Sequence, residues 1–546
     1  MERPDVIIVG AGLSGLVAAS EAVERGRKVL MLDQEGPQSL GGQAHWSLGG
    51  LFMVDTPEQR RMGIRDSAAL ATMDWAGSAQ FDRAEDDTSR AFADAFLDFA
   101  GGEMRPWLHG LGLRWFPVVG WAERGGSGAG AGNSVPRFHI TWGTGPGVLA
   151  PFLRRAEEAR KNGQLEIRYR HRVVDLLVDQ GRVIGVHGDI LEDSDKPRGV
   201  STSRTVTGAF ELTGEAVVMT SGGIGGNLER VRAVWPVERL GPAPREMISG
   251  VPDFVDGKLQ AAAEAHGARI TNADRMWHYC EGVKNWKPIW PNHGIRVLPG
   301  PSPLWFDALG QRLEAPYLPG FDTLGTLKRI LSTGHDHSWF ILTQKIIEKE
   351  FALSGSEQNP DLASGTWRGV LKSRLGKGAT KAVEAFKKKG EDFIIADDLE
   401  TLVQRMTALT PQAPLDAALI RRQIEARDAQ MDHAYTKDLQ IMAMRNARKY
   451  KGDRIFRTAR PHKILDPTKG PLIAVRLNIV TRKSLGGLQT NLSGQVLHQD
   501  GSVIEGLYAA GEASGFGGGG YHGYNALEGT FLGGCLFSGR QAGKNA

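Results

Sequence analysis

The chain has 546 residues, enough for two or three domains, and its 41% hydrophobic and 23% charged residues are ordinary for a folded globular protein. A net charge of +4 without a compact basic patch argues against nucleic-acid binding. Two cysteines and no C-x-x-C motif exclude a disulfide framework, a dithiol redox centre and a cysteine metal cluster, and we predict no metal site.

The N-terminal segment DVIIVGAGLSGLVAASEAVERGRKVLMLDQE has the pattern of a dinucleotide-binding unit. An apolar strand at Val6–Val9 runs into G-x-G-x-x-G, and an apolar helix and a second strand follow. Gly10 makes the tight turn, Gly12 lets a pyrophosphate approach the backbone, and Gly15 packs the helix on the strand. Asp33 ends the second strand and is placed to accept a hydrogen bond from a ribose hydroxyl, which argues against a 2′-phosphate there.

The nucleotide-binding pattern is interrupted, and the interruption distinguishes FAD from NAD. NAD-binding domains usually complete one doubly wound sheet within ~150 continuous residues. Here a glycine-rich loop follows at 39–50 (SLGGQAHWSLGG), and another glycine cluster comes only at 217–227 (VVMTSGGIGGN). The closing strand and loop lie at the C-terminus. A nucleotide domain split by long insertions indicates FAD.

These changes of pattern divide the chain into three segments. Residues 1–227 are predicted to form the first part of an FAD-binding domain, 228–474 an inserted capping domain for substrate, and 475–546 the closing part of the FAD-binding domain. The predicted fold class is α/β (α+β overall), with a Rossmann-like FAD-binding domain that is discontinuous in sequence.

Periodicity predicts the secondary structure inside these segments. Strand periodicity at 165–187, with a turn at 179–181, predicts a β-meander on the adenine side of the cofactor. Helical periodicity in the capping domain predicts helices at 343–353, 379–389 and 415–435.

Four tryptophans of the capping domain lie close together in sequence. Aromatic side chains at this density either line the pocket of a flat apolar ligand or form the core of the cap. The residues are Trp277, Trp286, Trp290 and Trp305.

The sequence also bears on location. The first predicted strand begins at residue 5, which leaves no room for a signal peptide ahead of it. The sequence contains no run of ~18 uninterrupted apolar residues, so no transmembrane helix is predicted. We therefore expect a cytoplasmic protein without a membrane span.

Residues 504–531, IEGLYAAGEASGFGGGGYHGYNALEGTF, form the second informative segment. An apolar strand feeds a glycine-dense loop that ends in Tyr521, His522 and Tyr524, just before a helical pattern begins. Glycines let backbone N–H groups approach a bulky ligand, and a helix start directs its positive dipole end toward negative charge. The segment is predicted to form the wall of the flavin site.

Four segments in this order resemble the fumarate reductase/3-ketosteroid Δ1-dehydrogenase group of flavoproteins, and in more detail its ketosteroid-dehydrogenase-like branch of FAD-binding dehydrogenases. They are VIIVGAGLSG, GGQAHWSLGGLF, VVMTSGGIGGN and GLYAAGEASG…GYHGYNALEGT. The resemblance covers roughly half of the chain. It implies one FAD, a capping domain, and a substrate held between the cap and the isoalloxazine ring.

Departures from the family pattern bear on substrate and cofactor attachment. Fumarate reductases carry an arginine that clamps a substrate carboxylate where this chain has Ala526, and a substrate-binding histidine where it has Lys483. Both changes argue against a small dicarboxylate. Relatives with covalent FAD attach it through a histidine where this chain has Gln43, and His45 lies two residues on. We therefore predict non-covalent FAD.

The resemblance to ketosteroid dehydrogenases implies candidates for catalysis. Tyr521 aligns with a tyrosine that polarises the substrate ketone, assisted by the Gly523 N–H, and its replacement by phenylalanine is expected to slow flavin reduction ~100-fold or more. His522 and Tyr524 are candidates for acid–base work, although His522 is equally suited to hydrogen-bond the flavin. The cap is expected to supply the base, with Tyr279 or Tyr317 as its source.

The residues expected to bind FAD lie in the glycine loops, at strand ends or in the meander. Glu512 is expected near the ribityl or pyrophosphate region, and the N–H groups of 526–529 near the flavin N1/O2 edge. The full set is Gly10, Gly12, Leu13, Ser14, Gly15, Asp33, Gln34, Gly41, Gly42, Gln43, Gly49, Gly50, Val173, Val174, Ser221, Gly222, Gly223, Gly511, Glu512, Asn525, Ala526 and Leu527.

The functional prediction is an FAD-dependent dehydrogenase acting on CH–CH groups next to a carbonyl in an apolar, steroid-like substrate. Two alternatives stay open: an ene reductase of a small unsaturated acid, and a flavoprotein without catalytic function. The direction of reaction, the electron acceptor and the oligomeric state are not fixed by the sequence.

Overall fold

The computed structural model describes residues 3–121, 131–366, 370 and 378–546. Among these residues the strands are, in chain order, β1 (Val6–Val9), β2 (Val29–Asp33), β3 (Gly50–Phe52), β4 (Phe138–Ile140), β5 (Leu165–Tyr169), β6 (His171–Asp179), β7 (Arg182–Leu191), β8 (Val206–Thr213), β9 (Ala216–Met219), β10 (Ile248–Ser249), β11 (Ile270–Thr271), β12 (Met276–Lys284), β13 (Gly294–Leu298), β14 (Leu304–Asp307), β15 (His337–Thr343), β16 (Ala352–Leu353), β17 (Phe393–Ala396), β18 (Leu472–Ser484), β19 (Gly487–Leu488), β20 (Gln495–Leu497) and β21 (Val503–Ala509).

Helices cover both sheets. Those within the described residues are α1 (Leu13–Glu24), α2 (Pro57–Arg61), α3 (Ala68–Ala79), α4 (Asp87–Gly101), α5 (Met104–Gly110), α6 (Thr144–Lys161), α7 (Leu228–Ala233), α8 (Val237–Leu240), α9 (Lys258–Ala265), α10 (Thr323–Leu331), α11 (Gln344–Glu350), α12 (Pro360–Ala363), α13 (Lys381–Lys389), α14 (Leu399–Leu409), α15 (Ala417–Met431), α16 (Leu439–Ala447), α17 (Lys451–Phe456) and α18 (Thr530–Asn545).

A six-stranded sheet in the order β20-β21-β9-β1-β2-β5 joins the two ends of the chain. Its pairs are parallel except β20 with β21. Strands β1 and β9 are buried throughout because α1 covers one face of the sheet and β6, β7 and α9 cover the other, which explains their uninterrupted apolar sequences. The C-terminal strand β21 lies beside β9. The predicted α/β fold with a discontinuous Rossmann-like domain is therefore confirmed.

A second sheet of eight strands forms the cap. Strand β18 is its centre: thirteen residues long, it pairs with β12 and β15, and also with β10 and β17. Residues 475–484 thus lie in the cap sheet, and the chain returns to the flavin domain after Ser484 rather than at 475. An apolar run alone does not show which sheet it joins, since pairing depends on distant partners.

The predicted meander is present, with one change. Strands β6, β7 and β8 form an antiparallel sheet, and Gln180 and Gly181 make the tight turn with positive φ values of 48° and 81°. The segment Leu165–Tyr169 instead pairs in parallel with β2. The three helices predicted in the cap are observed at Gln344–Glu350, Lys381–Lys389 and Ala417–Met431.

The tryptophans belong to the core of the cap. Trp277, Trp290 and Trp305 are each less than 5% exposed, and Trp277 and Trp305 pack in the large apolar cluster on the eight-stranded sheet. Trp286 packs against the same cluster. Among the described residues, no helix is long and apolar enough to cross a bilayer.

Candidate functional site

A cavity of about 470 Å³ opens at the carboxyl ends of β1, β2 and β9 and extends to the cap. Its volume is in the range of small-molecule and cofactor sites, and its position follows the rule for open α/β sheets. Fourteen of the predicted FAD-binding residues lie in its wall: Gly10, Gly12, Leu13, Ser14, Asp33, Gln34, Gly42, Gln43, Gly50, Val173, Val174, Ser221, Gly222 and Glu512.

The three glycines of the G-x-G-x-x-G motif have the local geometry that nucleotide binding requires. Gly10 has φ of +107°, and a Cβ there would lie 2.6 Å from the Thr220 carbonyl oxygen. A Cβ on Gly15 would lie 2.1 Å from the Gly10 oxygen, so helix α1 and strand β1 touch at this point. Gly12 differs from both, because a Cβ there would meet no atom within 4 Å and would project into the cavity. The space in front of Gly12 is what a pyrophosphate needs.

Asp33 is fixed at the edge of the cavity by two backbone donors. The Ala11 N–H donates to Oδ2 and the Glu35 N–H to Oδ1, each at 2.8 Å. Burial raises the pKa of Asp33 to about 6, against the lowering effect of these hydrogen bonds. The carboxyl group joins the fingerprint loop to the end of β2 and has lone pairs left for a ribose hydroxyl.

Three polar side chains meet at another part of the wall. The Gln43 amide N–H donates to Glu512 Oε2 at 3.3 Å, while Lys483 Nζ donates to Gln43 Oε1 at 2.5 Å. The Ser484 N–H donates to Glu512 Oε1 at 2.8 Å. Burial lowers the pKa of Lys483, and Glu512 at 3.5 Å opposes that shift. Gln43, where the resemblance would place an attachment histidine in proteins with covalent FAD, is therefore held by hydrogen bonds to Glu512 and Lys483.

Tyr521 does not lie where its predicted role requires. Its side chain is fully buried outside the cavity wall, packed against Trp75 and Phe96, and its hydroxyl donates to the Thr530 carbonyl oxygen at 2.6 Å. Burial raises the pKa of this hydroxyl well above its ordinary value. The ring packs between α3, α4 and α18. Tyr521 is therefore not placed to act as the carbonyl donor.

The neighbours of Tyr521 likewise point away from the cavity. His522 is fully buried, with Nε2 in a 2.7 Å hydrogen bond to Thr530 Oγ1, and burial lowers its pKa well below the ordinary value. The Gly523 N–H donates to the Gly520 carbonyl oxygen within the loop. The Tyr524 ring lies under the Arg239 guanidinium at 3.3 Å. All three serve to fix the glycine loop.

Tyr279, in β12, is the one predicted catalytic residue that lies in the cavity wall. Its hydroxyl donates to Glu528 Oε1 at 2.8 Å. Arg296, in β13, makes an ion pair with the same oxygen and lies 3.7 Å above the Tyr279 ring centroid. Arg296 and Glu528 also line the cavity, with side chains only 3% and 12% exposed. Tyr317, the other candidate from the cap, packs against the apolar cap core.

Arg296 and Glu528 were missed by sequence reasoning. Arg296 is the charged residue of the otherwise apolar strand GIRVL. This was a usable signal for a functional group, because a charge in a buried strand needs a partner. Glu528 is the only acid in residues 513–539, which was a second signal. The remaining predicted FAD-binding residues lie outside the cavity wall: Gly15, Gly41, Gly49, Gly223, Gly511, Asn525, Ala526 and Leu527.

The residues present fit FAD. Open space faces Gly12, an acid stands at the end of β2, and the wall continues past Gln43 and Glu512 to the start of α18 at Gly529. A mostly parallel sheet with this cavity at its carboxyl edge and a cap over it is the arrangement of an FAD-binding protein.

The chain belongs to the family described as FAD binding domain, whose model matches residues 5–532. It is 57% identical over 533 residues to a KsdD-like steroid dehydrogenase of Mycolicibacterium smegmatis, with 97% of this chain and 96% of the relative covered. A KsdD-like steroid dehydrogenase of Mycobacterium tuberculosis H37Rv is 55% identical over 543 residues, with 99% and 95% covered. The prediction of an FAD-dependent dehydrogenase is confirmed.

A solved structure shows the same fold. The 3-ketosteroid Δ1-dehydrogenase of Sterolibacterium denitrificans, in complex with 1,4-androstadiene-3,17-dione, matches with a TM-score of 0.67 and 17% identity. The match covers 100% of this chain and 99% of that chain. Both the flavin domain and the cap therefore have counterparts there.

We expect the flavin to leave the protein on denaturation, because Gln43 offers no nucleophilic ring nitrogen where relatives attach it covalently. Acid precipitation of the holoprotein should leave all flavin absorbance in the supernatant. Flavin that stays with the precipitated chain, and with one of its peptides after proteolysis, would contradict non-covalent binding.

Proposed function

We propose that the protein oxidises a C–C single bond next to the carbonyl of an apolar, steroid-like substrate. One observation carries the proposal: Tyr279 and Arg296 lie in the wall of the same cavity as the nucleotide fingerprint. The relatives that are more than half identical are named steroid dehydrogenases, which supports the substrate class.

The wall near these two residues suits a flat apolar molecule. Leu298 follows Arg296 on the same face of β13, and Phe531 follows Glu528 at the start of α18. Leu48 and Phe138 also line the cavity. Burial of each such side chain against the rings of a ligand contributes ~1.5–3 kcal/mol at most, which favours an apolar ligand over a polar one.

Arg296 and Tyr279 have distinct roles in the proposal. FAD, when bound, supplies the hydride acceptor. Removal of a proton beside a ketone places negative charge on the ketone oxygen, and the permanent positive charge of Arg296 stabilises it in a site shielded from water. The Tyr279 hydroxyl is the acid–base group within the cavity.

A small carboxylate as substrate would need cations that are free to bind it. Lys483 lies 3.5 Å from Glu512 and so has a carboxylate of its own, whereas Arg482 also lines the wall and is the group that a small acid would have to contact.

Anaerobic mixing of the holoprotein with a panel of saturated ketosteroids and saturated short-chain acids tests the proposal. At least one ketosteroid is expected to remove the visible absorbance of the oxidised flavin, and the acids are not. The dithionite-reduced protein is mixed in parallel with the corresponding enones and unsaturated acids. Bleaching by acids alone, or no reaction with any ketosteroid in either direction, would refute it.

A further inference from the structure

Glu528 lies between the flavin domain and the cap sheet. It lies just before α18 in the flavin domain, whereas the groups bonded to it, Tyr279 and Arg296, come from the cap sheet. One oxygen, Oε1, accepts from both. The carboxylate is thus in direct hydrogen-bond contact with the acid–base hydroxyl of the cavity.

The charged and polar side chains around Glu528 lie on two strands of the cap sheet, β12 and β13. Arg296 on β13 makes the ion pair, and Tyr279 on β12 is the hydrogen-bond donor. Glu281, also on β12, is completely buried, and burial raises its pKa against the opposing effect of Arg296. Glu281 is therefore biased toward the neutral form, whereas Glu528 has a permanent cation beside it.

We propose that Glu528 is the proton acceptor behind Tyr279, an inference that rests on the proposed function. The C–H bond beside the substrate ketone breaks and its proton bonds to the Tyr279 oxygen. At the same time the Tyr279 O–H bond breaks and that proton bonds to Glu528 Oε1. The electron pair of the C–H bond remains on the substrate as an enolate, and Tyr279 stays neutral throughout.

This arrangement solves the difficulty of using tyrosine as a base. The ordinary pKa of a phenol is ~10, so a tyrosinate would be scarce at neutral pH. A carboxylate that takes the phenol proton in the same step removes the need for a free tyrosinate. The geometry required, a hydroxyl bonded to a carboxylate at 2.8 Å, is present.

Glu528→Gln and Glu528→Asp separate proton acceptance from shape. The glutamine oxygen still accepts the Tyr279 hydrogen bond but takes no proton, so flavin reduction by the ketosteroid is expected to slow ~100-fold, the usual loss for an acid–base group. The aspartate variant keeps a carboxylate and should recover part of the rate. FAD content and the Kd of the steroid product should change less than ~3-fold, or ~0.65 kcal/mol.

The pH profile distinguishes this role from a structural one. In the wild type the rate should fall toward low pH, because the proposed step needs a carboxylate that can accept a proton; Glu528→Gln should lose this dependence and Glu528→Asp should keep it. Glu281→Gln is the matched variant and should also keep it. A Glu528→Gln protein with a wild-type rate and profile, or loss of the dependence in Glu281→Gln instead, overturns the role of Glu528. A wild type that no ketosteroid reduces overturns the proposed function and this inference together.

Discussion

Replacement of Tyr279 by phenylalanine is expected to slow flavin reduction by substrate at least ~100-fold and up to ~10⁴-fold, the range for loss of a positioned acid–base group. The change removes one oxygen from the cavity wall and leaves the ring that packs under Arg296. Anaerobic stopped-flow reduction at saturating substrate measures it. FAD binding should be unchanged, since the Tyr279 hydroxyl donates its hydrogen bond to Glu528.

Tyr521→Phe is the matched control, because it deletes the same atom from a tyrosine outside the cavity wall. Its hydroxyl donates to the Thr530 carbonyl oxygen in the core, so the variant should lose about 1 kcal/mol of stability. Its reduction rate should stay within ~3-fold of wild type, since the missing group is not acid–base machinery. If Tyr521→Phe slowed flavin reduction and Tyr279→Phe did not, the catalytic tyrosine would be Tyr521 in the glycine loop.

Gly12→Val is expected to weaken FAD binding ~100-fold while the protein still folds. The backbone of Gly12 is extended, with φ of −75° and ψ of −176°, which any residue adopts. The new side chain meets no protein atom within 4 Å of its Cβ and fills the space of the pyrophosphate. Overlap between the valine side chain and the pyrophosphate costs up to about 3 kcal/mol, which corresponds to ~100-fold weaker binding of FAD. Fluorescence titration of the apoprotein with FAD measures the affinity.

Gly110→Val controls for the loss of a glycine as such. Gly110 ends α5 on the surface, and a Cβ there also meets no atom within 4 Å. This variant should bind FAD like the wild type. Circular dichroism should show the same helix and strand content in both variants. Retention of wild-type FAD affinity by Gly12→Val would mean that the pyrophosphate does not lie against this glycine.

The flavin half was predictable because its signals are local or repeat a fixed spacing. The strand at Val6–Val9, the glycines after it and Asp33 occupy one short segment, and each has a physical role set by its neighbours in sequence. The cap was predictable only as a region of helices and strands. Strand β18 shows why: its sequence defines a strand, but its pairing with β12 and β15 depends on residues far away.

The acid–base cluster could not be assembled from the sequence. Tyr279 and Glu528 are 249 positions apart, and Arg296 and Glu528 are 232 apart. Tyr279 was one of two cap candidates, and nothing in the chain joined it to Glu528. The sequence pattern made the aromatic residues of the glycine loop catalytic candidates, but the Tyr521 ring packs against Trp75 and Phe96 in the core.

By itself the sequence determined the cofactor and the α/β fold, because a dinucleotide site is built from backbone turns that particular residues at fixed spacing impose. The class of reaction followed from the resemblance to a family and not from the spacing. Only the tertiary structure decided which side chains face the cavity. That choice depends on how the cap sheet lies over the flavin domain and on which rings fill the core beneath the glycine loop. It placed Tyr279, Arg296 and Glu528 in the cavity wall and Tyr521 in the interior.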